Sequence, residues 1–214
     1  MIEQIDKKTI NSCKERSPWT LGNEILYKMC ADNFKHDSDE KIVAKVWLIG
    51  RSYAAAIERR KNKNPNDDRD TFYTETVVKT FMSSDLDRRM NEINSFTTFN
   101  KSVLLKTIET HYYLTNIING ITKLNKRSFS AKYLHFHLPD FFFIYDSRAA
   151  KSISRFKIKV PKDIVLSLDM IAYDRVYADF SCKCFELSEQ IKEKFDFQLT
   201  PRQLDNLLLK RLQD

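Results

Sequence analysis

Three glycines in 214 residues set the first limit on this chain. Two-residue β-hairpins rely on glycine for positive φ, so few of them can be built here. A meander of strands is disfavoured as the organising layer, and an all-α fold is expected. Apolar residues at helical spacing agree. Ile42, Val46, Ile49, Tyr53 and Ile57 form one stripe, read as a single helix closing in Glu58-Arg59-Arg60-Lys61, where cations suit the negative end of the dipole. Val103, Leu104, Ile108, Thr115 and Ile118 mark a long helix with Gly120 as its stop. Val176, Phe180, Cys184, Leu187 and Ile191 mark another. Thr200-Pro201-Arg202-Gln203 opens a last one, with a threonine cap, a proline in the first turn and a glutamine completing a capping box. Thr71–Met90 reads as helix and Asn91–Asn100 as irregular. Phe156–Val160 alternates apolar and basic residues, a pattern that suits a short strand. Lys61–Asp70 is the most polar stretch and the candidate boundary loop.

Several classes of function fall away at once. No run of about 18 apolar residues is present, so no membrane span is expected. The start, MIEQIDKKTINS, has no apolar signal core, which points to the cytoplasm and to reduced cysteines. Cys182-x-Cys184 is too short and isolated for a zinc site. His135 and His137 diverge if they lie on a helix, so no metal and no cofactor are expected. Glycine-rich phosphate loops of the GxxxxGK or GxGxxG type are absent.

Charge points the other way, towards a partner. The net charge is +7. Between Lys101 and Lys162 there are twelve Lys or Arg and three acids, while the rest of the chain is slightly acidic. A positive middle in a near-neutral frame fits a polyanion, of which nucleic acid is the commonest. A basic solvated face without a partner is the alternative.

Within that basic third lies KRSFSAKYLHFHLPDFFFIYDSRAAKSISR, residues 126 to 155. A helix from about Ser128 puts Lys132 on one face with Ser128, Phe129, His135 and Phe136. Nearby cations and burial both lower an amine's pKa, which makes it a better nucleophile at neutral pH. Asp146 opens the next helix, where backbone N–H groups and the dipole keep a carboxylate ionised. Such a carboxylate can take the amine's proton or stabilise a cationic sugar. The plain readings are a solvated lysine and an N-cap. Phe141–Ile144 reads as core.

A lysine-bearing helix, an apolar connection and an aspartate opening the next helix resemble the helix-hairpin-helix DNA glycosylase superfamily. Lys45-Val46-Trp47-Leu48-Ile49-Gly50-Arg51-Ser52-Tyr53-Ala54-Ala55, and the run from Ala131-Lys132 to Asp146-Ser147-Arg148, look like the bacterial 8-oxoguanine-DNA-glycosylase-like (OGG-fold) branch. The resemblance implies one compact helical domain over residues 1–214, in two lobes with the cleft between them. It also implies a base-excising N-glycosylase/lyase acting on a flipped base in DNA or RNA, with a place in bacterial defence. Lys132 matches the lysine that attacks the sugar C1′ and forms a Schiff base. Asp146 matches the aspartate that activates it. Lys126, Arg127, Arg148 and Lys151 are then the nucleic-acid contacts, and His135, His137 and Tyr145 the pocket candidates. The family's hairpin is glycine-rich and holds phosphates through backbone amides. Here Leu124-Asn125-Lys126-Arg127-Ser128-Phe129 takes its place, and side-chain charge is expected to do that work. No four-cysteine cluster is present, so no iron–sulfur centre is implied. The rival expectation is a catalytically inactive glycosylase-like module that binds nucleic acid or protein.

Overall fold

The computed structural model describes residues 5–61 and 69–210. All regular elements among these residues are helical, as expected. In chain order they are α1 (Lys7–Ser12), α2 (Thr20–Asp32), α3 (Asp39–Ser52), α4 (Arg69–Thr71), a wider π-helical turn (Phe72–Val77), α5 (Val78–Met82), α6 (Leu86–Asn94), α7 (Lys101–Thr122), α8 (Arg127–His137), α9 (Ser147–Arg155), α10 (Lys162–Leu168), α11 (Arg175–Phe195) and α12 (Pro201–Lys210). Among the described residues no helix is long and apolar enough to cross a membrane.

Side-chain caps start most of the longer helices. Ser38 caps α3, Asn100 caps α7 through the amides of Ser102 and Val103, and Asp174 caps α11 through the amide of Tyr177. The capping box read at Thr200 forms in both directions. Gln203 N–H donates to Thr200 Oγ1, and Thr200 N–H donates to Gln203 Oε1.

Some boundaries differ from the sequence expectation. Helix α3 does not run to Lys61; it stops at Ser52 in a Schellman turn. Ala54 N–H donates to Arg51 O, Ala55 N–H donates to Gly50 O, and Ala54 takes the left-handed φ of 50°. Gly50 permits the reversal, because a Cβ there would meet Ala56 Cα at 3.1 Å. Ile57 is still buried, but from the loop and not from the helix. Helix α7 passes through Gly120 and ends at Lys123, φ 56°. Gly120 has open space around it. The end is sealed instead by Thr122 Oγ1, which donates to Ile118 O and accepts from Leu124 N–H. Phe156–Val160 is no strand: Lys157 takes a left-handed φ of 52°, and Phe156 and Ile158 are buried from a loop. Thr71–Met90 is broken around Ser83–Asp85, and α6 extends into the stretch read as irregular. Most of the polar boundary loop lies outside the described residues.

Two apolar clusters fill the interior. One joins Ile5 and Ile10 to α9, α10, α11 and α12; the other joins α2, α3, the 72–82 segment and α6. Helices α7 and α8 serve both. Ala131 faces the first cluster, and Phe129, Tyr133, Leu134 and Phe136 face the second. The run Phe141–Ile144 is core as expected, Phe143 going to the first cluster and Phe142 to the second. Each large apolar side chain buried this way contributes roughly 1.5–3 kcal/mol. Helix α8, which carries Lys132, is therefore held from both sides. All four cysteines are free and buried.

Candidate active site

Lys132 is 5% exposed. Its Nζ donates to Ser128 Oγ at 2.9 Å, one turn back on α8, and to Tyr53 O at 3.4 Å. It also stands 5.6 Å from the centre of the Tyr53 ring. Ser128 in turn donates to Tyr145 O at 3.1 Å. One hydroxyl thus ties the lysine to the residue just before Asp146. Burial lowers the Lys132 pKa; the charges of Asp146 and Asp205 oppose that shift, and Arg148 and Arg202 reinforce it.

Asp146 is the N-cap of α9. Its Oδ1 accepts from the amides of Arg148 and Ala149, both at 2.9 Å. Oδ2 has no hydrogen bond among the described residues. The carboxylate is half-buried, and no ion pair within 4.0 Å joins it to Lys132. The two groups act on each other through space, not by contact.

A second carboxylate, not singled out from the sequence, completes the cluster. Asp205 on α12 is buried, and burial raises its pKa to about 7 against the pull of Arg202 and Lys132. Arg202 Nη1 donates to its Oδ2 at 3.4 Å, while Oδ1 is buried without a partner. The guanidinium also donates to Tyr27 Oη at 2.9 Å and Tyr53 Oη at 3.1 Å. It lies over the rings of Tyr27, Tyr53 and Phe136. The signal was in the sequence. Asp205 is four residues after Pro201 and three before Leu208, inside the apolar stripe of α12, where an acid needs a reason.

Nothing matches this chain among protein-family models, curated proteins or solved structures.

His135 and His137 serve the interior. His135 Nδ1 donates to Phe142 O at 2.8 Å and Nε2 accepts from Tyr27 Oη at 2.6 Å, the pattern of a neutral ring. Burial holds its pKa well below the ordinary histidine range. His137 Nδ1 donates to Tyr133 O, and its other nitrogen is buried without a partner. The two rings have separate partners, and no group of three His, Cys, Asp or Glu able to hold a metal occurs among the described residues. Tyr145 is half-buried, its ring edge-on to Phe180 at 5.2 Å.

The four basic candidates divide. Arg127 forks onto Asp174 at 2.6 and 2.8 Å. Burial alone would raise the Asp174 carboxyl, but this fork and the Tyr177 amide hold it at about 2. Arg148 and Lys151 are exposed on α9 and make no ion pair among the described residues. Lys126 donates to Ala56 O at 3.0 Å, and burial lowers its pKa.

Lys126 also lines a cavity of about 720 Å³, open between residues 50–60 and the start of α8. Arg51, Glu58, Arg59, Arg60, Ser128 and Phe129 share its wall. Lys132 and Asp146 are not in that wall. Ser128 is the residue common to the cavity and the amine's hydrogen bonds.

Proposed function

We propose that the chain is a base-excising DNA N-glycosylase with lyase activity, acting on a nucleotide turned out of the helix. The observation that carries this reading is a buried primary amine, below its ordinary pKa, in the field of two carboxylates. Lys132 is the nucleophile. Its ammonium passes a proton to a carboxylate, and the neutral Nζ attacks the sugar C1′ as the bond to the base breaks. The electron pair of that bond leaves with the base, which takes up a proton. Asp146, at the head of α9, stabilises the positive charge on the sugar. Asp205 is the proton acceptor: a carboxyl titrating near 7 is matched to a step run near neutrality. Lys126, Arg148 and Lys151 hold phosphates.

The test is borohydride trapping on a duplex that carries an abasic site. A covalent adduct that depends on Lys132 is expected. A screen of modified bases in the same assay then identifies the excised base.

One observation favours a second reading, a glycosylase-like module that binds nucleic acid without cutting it. The amine is hydrogen-bonded inside the fold and absent from the wall of the large cavity. Under that reading DNA binding stays salt-sensitive, is unchanged in Asp146→Asn, and no adduct forms.

A further inference from the structure

We infer that a second cavity, of about 320 Å³, binds a free amino acid with an apolar side chain. It lies between residues 97–99, residues 140–143, the C-terminal half of α11 and residues 198–201 at the head of α12. Lys132, Asp146 and Asp205 are not in its wall, so the inference stands apart from the DNA reading.

One part of the wall is aromatic. Phe143, Phe185 and Leu199 line the cavity and are buried. Phe99 stands against both rings, its centre 5.6 Å from that of Phe143 and 5.5 Å from that of Phe185. Three phenyl rings offer neither donor nor acceptor, and they suit a hydrocarbon or aryl side chain.

The other part is polar and incompletely used. Ser188 belongs to the wall, and its Oγ is buried with no hydrogen-bond partner among the described residues. A buried hydroxyl left unpaired carries a cost that a ligand's polar atom removes. Asp140 and Lys192 are exposed and share the wall. Among the described residues no ion pair within 4.0 Å joins them to each other or to any other residue.

Those two charges decide the ligand. A simple anion that reaches Lys192 also meets Asp140, and a simple cation that reaches Asp140 also meets Lys192. A zwitterion satisfies both. Its ammonium donates to the Asp140 carboxylate, and its carboxylate accepts from the Lys192 ammonium. Phe185, Ser188 and Lys192 follow at spacings of three and four on α11 and so form one row along that helix. The order along the row is phenyl ring, hydroxyl, ammonium. A ligand laid along it puts its side chain against Phe185 and its carboxylate between Ser188 Oγ and Lys192 Nζ.

Size agrees. A volume of about 320 Å³ equals the liquid share of about ten waters, room for a ligand of about ten non-hydrogen atoms. Leucine, methionine and phenylalanine are of that size.

The experiment is isothermal titration of the full chain with L-phenylalanine and L-leucine. Phenethylamine and hydrocinnamate serve as probes that each lack one of the two charges. Both amino acids should bind, and each single-charge probe should bind at least about tenfold more weakly. Asp140→Asn and Lys192→Gln change exposed, unpaired side chains, so the fold does not depend on them. Each should weaken L-phenylalanine binding about tenfold, and Ser188→Ala about threefold. Glu193→Gln, exposed and outside the cavity, should leave it unchanged. No binding of either amino acid at about 10 mM would overturn the inference. So would single-charge probes that bind as well as the amino acids, or Asp140→Asn and Lys192→Gln variants of wild-type affinity.

Discussion

Lys132 Nζ lies 2.9 Å from Ser128 Oγ, and that hydroxyl gives its own proton to Tyr145 O. The amine, the cavity wall and the backbone leading into Asp146 are joined by this one side chain. Ser128→Ala removes the link and leaves Lys132 with the longer bond to Tyr53 O. The variant should lose about 1.5–3 kcal/mol of stability, as for a bond to a charged group. The loosened amine should be trapped about 10- to 100-fold more slowly. Thermal melts and single-turnover trapping read the two effects separately.

Asp205 predicts a pH signature. Its carboxyl is raised from 3.8 to about 7. Neighbouring charges are Arg202, Lys132, Asp146 and Arg148. Between those values the folded protein keeps a proton that the unfolded chain releases. The contribution to stability is therefore complete below 3.8 and is lost as pH rises through about 7. Asp205→Asn keeps a neutral group at every pH. Its Tm should fall less than that of wild type as pH rises through about 7. The trapping rate of wild type should rise through the same pH, and that rise should flatten in Asp205→Asn. Identical profiles for the two proteins would remove Asp205 from the proton path.

Arg127 and Asp174 make a partly buried bidentate pair. Asp174 also takes the Tyr177 amide at the head of α11. Arg127→Ala leaves that carboxylate without its cation and should cost about 3 kcal/mol. The loss should appear as a lower urea midpoint, and the salt slope of DNA binding should stay at the wild-type value. Because Asp174 is held at about 2, its own contribution persists above 3.8 and is lost as pH falls through about 2.

Gly50→Ala places a Cβ 3.1 Å from Ala56 Cα, which is backbone and cannot swing away. The helix gains a little from losing a glycine, but the crowding outweighs it. A net loss of about 1 kcal/mol is expected, and chemical denaturation checks it.

The helices were legible where the pattern is local. The scarcity of glycine, the stripes at three and four, and the capping box at Thr200 all map onto the structure. The errors lie where a backbone reversal decides. An alanine at φ 50° ends α3, and a lysine at φ 52° turns what alternates like a strand into a loop. Neither residue type advertises a left-handed conformation. At the site, Lys132 and Ser128 were visible as a pair one turn apart. Asp205 showed only as an acid inside the apolar stripe of α12; its meaning comes from α12 packing on α9 and from Arg202 reaching Tyr53 and Tyr27, 149 and 175 residues back in sequence. Arg59 and Arg60 read as helix-end charge until the early stop of α3 placed them in the cavity wall.

The most direct test of the account is borohydride reduction of wild type and Lys132→Ala on a duplex with one abasic site. Wild type should give a stable protein–DNA adduct, mapped to residue 132 by peptide mass, and a folded Lys132→Ala none above background. An adduct of equal yield in the variant, or none in a wild type that binds the duplex, would contradict it.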